Sequence, residues 1–174
     1  MNGTEIAIVM AKQDDIRVMR GAAEVMDQFG LPYEMEILDF HHSPDRVINY
    51  AKRAHTRGIQ VIIAGASGSA QLPGIVASLT LLPVIGVPIE GHNSIDGVDA
   101  IYSILQLPVG VPVATMGLNA AGNAALFALQ ILACKHHSYH DLVYAYKLKM
   151  KQQAEALSDK LGKIGYEEFF DIHK

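Results

Sequence analysis

Residues 59–65 read Ile-Gln-Val-Ile-Ile-Ala-Gly, an apolar run with one polar member. They stop at a glycine- and serine-rich stretch, Gly-Ala-Ser-Gly-Ser-Ala-Gln-Leu-Pro-Gly, over 65–74. A strand apolar on both faces must be covered on both faces, as in a parallel sheet sandwiched between helices. The neighbouring segments agree. Residues 5–10 and 83–88 are further short apolar runs, 33–38 alternates as a half-buried strand, and 111–117 reads as a fifth strand. Helical patterns lie between them. Val18, Met19, Ala22, Ala23, Met26 and Phe29 recur on one face behind Asp14 or Asp15 as a cap, and Gly30 and Pro32 close that helix. Ser43 is a natural N-cap and Pro44 suits the first helical position. Val47, Ile48, Ala51 and Ala54 then form one face of a helix ending near Gly58. The stretches 75–82, 95–108 and the alanine-rich 120–135 supply the remaining helices.

This βαβα order without a linker predicts one α/β domain over 1–138, a doubly wound parallel sheet. Ligands of such sheets bind beyond the carboxyl ends of the strands. Residues 139–174 differ. There Leu142, Tyr146, Met150, Leu157 and Leu161 recur at helical spacing, with Lys and Gln opposite. This amphipathic extension either folds back on its own domain or reaches a neighbouring subunit.

With 174 residues, half of them hydrophobic, the chain can bury a sizeable core; its net charge of −4 and lack of a basic run argue against nucleic-acid binding. No apolar run approaches the length of a membrane span, and residues 1–15 have no basic n-region, so neither a membrane partner nor a signal peptide is expected. The single cysteine, Cys134, excludes an internal disulfide and points to a reducing cytoplasm, where it would be a buried small hydrophobe in a helix.

The polar turns carry the candidate chemistry. The 65–74 turn offers backbone N–H groups and a helix N-terminus to a phosphate or carboxylate, although as a bare βα turn it needs no ligand. It is neither a P-loop nor G-x-G-x-x-G. His41 and His42 follow the second strand. In an extended backbone only one can face the cleft, where an imidazole is a natural proton shuttle. Nothing in the spacing supplies further metal ligands, so no metal is expected. His136, His137 and His140 lie near a helix end, where cationic side chains favour the dipole. Asp14-Asp15 is a cap or a ligand contact.

Two stretches taken together, 61–88 and 97–133, with Gly-Ala-Ser-Gly-Ser-Ala-Gln-Leu-Pro-Gly in the first and Gln106-Leu-Pro-Val-Gly-Val-Pro-Val-Ala-Thr115 in the second, resemble the PurE family of purine biosynthesis. The resemblance covers about residues 5–135. It implies a flavodoxin-like three-layer fold, a homo-octamer with the C-terminal helix packed on neighbours, and no metal or organic cofactor. The implied reaction moves a carboxylate from the exocyclic nitrogen of N5-carboxyaminoimidazole ribonucleotide to ring carbon C4. A related class takes up CO2 directly.

By the same resemblance His41 is the acid/base, Asp15 contacts the ribonucleotide, and Gly65, Ala66, Gly68, Ala70 and Leu72 keep the pocket's backbone pattern. Four of the departures from the family pattern bear on the implied site. Lys12 replaces a phosphate-binding serine, Asp39 another serine, His42 the phosphate-gripping arginine, and Gln71 the second pocket histidine. Neither histidine nor lysine reproduces an arginine fork. Three readings follow: the carboxyl shift itself, related CO2 or carboxylate chemistry on another heterocycle, or a non-catalytic oligomeric binding protein.

Overall fold

The computed structural model describes residues 3–92 and 94–172. It contains β1 (Ile6–Met10), α1 (Ile16–Phe29), β2 (Tyr33–Ile37), α2 (Pro44–Arg53), β3 (Val61–Ser67) and α3 (Leu72–Leu79). These are followed by β4 (Val84–Ile89), α4 (Val98–Leu105), β5 (Ala114–Thr115), α5 (Ala121–Ala133) and α6 (His137–Ile172). The strands form one parallel sheet in the order β2-β1-β3-β4-β5, with Ile6 opposite both Tyr33 and Val61, and Ile62 opposite Val84. This is the flavodoxin-like order, and its switch point lies between β1 and β3.

Alternation along the strands divides the core. In β1, Ile6, Ile8 and Met10 join the α1 and α5 side with Val61 and Ile63 of β3. Ala7 and Val9 face the other layer with Ile62, Ala64 and Ala66. β3 is therefore buried on both faces, and each of its isoleucines contributes about 1.5–3 kcal/mol by leaving water. The small residues of α5 serve a close approach: a Cβ on Gly21 of α1 would lie 3.7 Å from the backbone nitrogen of Gly122. α1 ends as its sequence requires, with Gly30 at φ 64° and Leu31 N–H donating to the Met26 carbonyl at 3.0 Å.

Several local expectations give way. Neither Asp14 nor Asp15 caps α1 through its side chain, and Ser43 makes no side-chain capping bond to α2. The fifth strand shrinks to Ala114–Thr115, because Gly110 turns the chain at φ 98° and Pro112 has no N–H to offer a ladder. Cys134 is exposed just past α5 rather than buried. His136 lies beyond the end of α5 with Nε2 3.8 Å from Glu5, but His137 and His140 fall in the first turn of α6, the wrong end for the dipole.

α6 starts on its own domain. Tyr139 and Val143 are buried, the Tyr139 hydroxyl donates to Glu5, and the Tyr146 ring meets Phe29 edge-on at 5.7 Å. Further along, Met150, Leu157 and Leu161 are 41–49% exposed, and the helix breaks at Gly165 (φ 76°). No helix among the described residues is long and apolar enough to cross a membrane.

Candidate active site

The turns leaving the carboxyl ends of β1, β2 and β3 enclose a cavity of about 430 Å³. β1 contributes Ala11 and Lys12, β2 the run Leu38 to His42, and β3 the run Ala66 to Leu72. The cavity thus sits at the switch point of the sheet.

The β2 wall is organised by Asp39. Leu38 N–H donates to the Met10 carbonyl at 2.8 Å and carries the pairing one residue past the strand. The chain then turns: Asp39 Oδ1 accepts the N–H groups of His41 (2.9 Å) and His42 (3.1 Å), and Oδ2 accepts from His42 Nδ1 at 2.6 Å. The His42 ring, followed by the two backbone N–H groups, holds the Asp39 carboxyl below its ordinary range against a smaller opposing effect of desolvation. Because the backbone is turned rather than extended, His41 and His42 both line the cavity. Asp39 therefore orders the turn that leads into α2.

The β3 wall is a tight turn. Gly68 takes φ 67° and Ala70 φ 37°, and the Ala70 N–H reaches the Ser67 carbonyl at 3.4 Å. A left-handed alanine costs about 1–3 kcal/mol, a strain that persists only where packing enforces it. Ala70 is 3% exposed, and buried Leu72 anchors the start of α3 behind it. Gln71 is exposed and lines the cavity. Gly65 does not belong to this wall. A Cβ there would fall 2.2 Å from Met19 Sδ, so packing beneath α1 requires glycine at this position.

Asp15 is also behind the wall rather than in it. It is 1% exposed, its Oδ1 accepts the Ser67 hydroxyl at 2.7 Å, and its Oδ2 is buried without a hydrogen-bond partner. Burial pushes its carboxyl up, while the Ser67 hydroxyl and then the Lys12 charge pull it back. Ser67, the cavity-facing member of this pair, escapes a reading of the sequence alone. Its only signal is a hydroxyl at the last position of an otherwise apolar strand. Among the described residues no three His, Cys, Asp or Glu side chains converge as a metal-ligating set.

The walls therefore bring together one ammonium, two imidazoles, an amide and a strained backbone turn. That combination suits an anionic ligand that exchanges a proton. Residues 5–153 match the family described as AIR carboxylase. The chain belongs to that family. It is 46% identical over 164 residues to the N5-carboxyaminoimidazole ribonucleotide mutase of Pyrococcus horikoshii, covering 94% of this chain and 92% of that protein. The mutase of Thermotoga maritima is also 46% identical, with 95% and 96% covered. The phosphoribosylaminoimidazole carboxylase of Schizosaccharomyces pombe is 44% identical over 164 residues, but the chain spans only 30% of its length. The crystal structure of a Treponema denticola PurE2 variant superposes with a TM-score of 0.80 at 26% identity, covering 95% of this chain and 100% of that one. The doubly wound architecture expected of an AIR carboxylase family member is thus the one observed.

Proposed function

We propose that this chain catalyses the mutase reaction, the shift of the carboxyl group of N5-carboxyaminoimidazole ribonucleotide from nitrogen to ring carbon C4. The observation that carries the reading is 46% identity, over nearly the full length of both chains, to two proteins named for that activity. The N5–carboxyl bond breaks, N5 takes a proton, and CO2 is released into the cavity. C4 then attacks CO2, and the proton on C4 leaves. The atoms balance without a co-reactant.

His41 gives the first proton and accepts the second. Imidazole suits both steps near neutral pH, and such catalysis is typically worth about 10²- to 10⁴-fold. Holding CO2 beside C4 turns a bimolecular capture into an internal one. Lys12 and the outward nitrogen of His42 face the phosphate, while Gln71 and the 66–70 backbone meet the carboxylated ring. Asp15 acts from behind Ser67. The reaction belongs to a homo-oligomer, an octamer by family resemblance, in which the exposed stripe Met150, Leu157 and Leu161 packs on a neighbouring subunit.

A second reading rests on Asp39, whose carboxylate lines the cavity and would repel a phosphate beside it. It favours an unphosphorylated heterocycle. The test is turnover of N5-carboxyaminoimidazole ribonucleotide by wild type and His41→Ala, with binding of aminoimidazole ribonucleotide measured in parallel. Turnover lost in the variant with binding retained supports the shift. Binding of the nucleoside but not the ribonucleotide supports the second reading, and turnover unchanged by His41→Ala removes the proposed mechanism.

A further inference from the structure

We propose that Asp39 positions His42 as a proton-switched grip on the substrate's phosphate: Asp39 fixes Nδ1 as a donor, and Nε2 holds the phosphate only while it too carries a proton. The inference rests on the carboxyl-shift reading and names the regulation of that same site.

An imidazole has two nitrogens, and the partner of one decides what the other can do. A carboxylate accepts only, so the 2.6 Å contact between His42 Nδ1 and Asp39 Oδ2 makes Nδ1 the donor. Asp39 is held to this task, because its other oxygen accepts the N–H groups of His41 and His42. It also stays ionised, since the His42 ring above all keeps its carboxyl below the ordinary range. Both residues line the cavity, and the His42 side chain is 84% exposed, so Nε2 is the ring's open position.

An open Nε2 has two states with opposite effects on an anion. Protonated, it donates a charge-assisted hydrogen bond to a phosphate oxygen. Neutral, with the remaining proton on Nδ1, it presents a lone pair that such an oxygen repels. The Asp39 contact removes the third state, a neutral ring that moves its proton to Nε2 and goes on donating. An arginine, which the family pattern has here, keeps its charge throughout and has no such switch.

The surrounding charges are few. Lys12 from the turn after β1 and His41 are the other titratable groups lining the cavity, and the turn after β3 brings only Ser67, Ser69 and Gln71 as polar side chains. On α2, Arg46 is engaged by Glu36 at 2.9 Å and Asp45 is exposed. Buried Asp15 lies behind the β3 wall.

The experiment is calorimetric titration from about pH 6.5 to 9, above the titration of a phosphate monoester at about 6, with aminoimidazole ribonucleotide and its dephosphorylated nucleoside. Wild type, His42→Arg and Asp39→Asn are compared, and circular dichroism confirms that each is folded. Wild type should bind the ribonucleotide about 10- to 100-fold more weakly at the alkaline end, the worth of a hydrogen bond to a charged group. The nucleoside should show no comparable loss, which separates His42 from His41. His42→Arg should bind the ribonucleotide evenly across the range. In Asp39→Asn an amide can donate to Nδ1 and leave the proton on Nε2, so the alkaline loss should shrink to about 3-fold.

Ribonucleotide affinity unaffected by pH in wild type, or an alkaline loss that persists undiminished in His42→Arg or Asp39→Asn, overturns the inference and leaves the carboxyl shift standing. A loss shared equally by the nucleoside also overturns it. Failure of wild type to bind the ribonucleotide at any pH overturns both.

Discussion

Asp15 and Asp39 follow adjacent strands, one behind the wall of the cavity and the other lining it, and their environments differ in almost every respect. Asp15 is 1% exposed, has one carboxylate oxygen unpartnered, and is pushed above the ordinary carboxylate range by burial. The Asp39 side chain is 37% exposed, both of its oxygens are engaged, and hydrogen bonds from His42 and the backbone hold it below that range. One aspartate is destabilising where it sits and is tolerated. The other organises its own turn. Burial without full pairing is the signature of a group retained for function, whereas full pairing at the rim is the signature of architecture.

The two carry opposite signs in a pH titration of stability. Because the folded-state value of Asp15 is raised, its contribution favours folding at acid pH and is lost as pH rises through that raised value. Asp39 is depressed, so its contribution is present above the ordinary aspartate range and is lost as pH falls through the lowered value.

Apart from His41→Ala, the largest expected effect is that of Asp15→Asn. Its kcat/KM should fall about 10- to 100-fold, the range for a hydrogen bond to a charged group. Its melting temperature should nevertheless rise, by about 2–4 °C if about 1 kcal/mol is recovered, with the gain greatest at neutral pH and shrinking towards pH 4. A melting temperature lowered at every pH would mean that the buried carboxylate is structural after all. Lys12→Ala comes next. It should weaken aminoimidazole ribonucleotide by about 10-fold, roughly the value of one charge-assisted contact, and the nucleoside hardly at all. Equal losses for both ligands would remove Lys12 from the phosphate. Asp39→Ala is the mildest of the three. KM should rise about 3-fold with kcat and melting temperature nearly unchanged, since exposed bonds of this kind are worth little. A loss matching that of Asp15→Asn would erase the distinction between the two carboxylates.

A fourth prediction concerns the exposed stripe of α6. Ending the chain after residue 149 keeps buried Tyr139 and Val143 but removes Met150, Leu157 and Leu161. The mass from light scattering should drop to a smaller assembly. An unchanged mass would mean that the stripe does not join subunits.

Much of the architecture is legible in the sequence for a simple reason. Strands such as Val61–Ser67 are buried on both faces, and apolar continuity is a signal that no local exception obscures. Gly30 and Pro44 mark helix ends because their backbone constraints act within one turn. What escaped depends on contacts between distant segments. Asp15 and Ser67 are 52 residues apart, and neither declares the other. Asp14 and Asp15 look alike as caps, yet only Asp15 is drawn inward. Ser43 makes no side-chain capping bond, and order before α2 comes instead from Asp39, which accepts the N–H groups of His41 and His42 in the preceding turn. Cys134 is exposed because it sits at the end of α5, where its thiol turns back to the Gln130 carbonyl at 3.5 Å instead of entering the core.

Every residue lining the cavity falls between Ala11 and Leu72, although the sheet that carries them needs β4 and β5 to be complete. On a ribosome the walls of the site therefore emerge before the far side of β3 has a neighbour. Until Val84–Ile89 follows, the nascent chain exposes a strand edge whose natural partner is still inside the exit tunnel. Vectorial synthesis thus gives this chain an interval in which its chemistry is already spelled out and its most apolar strand is still unguarded.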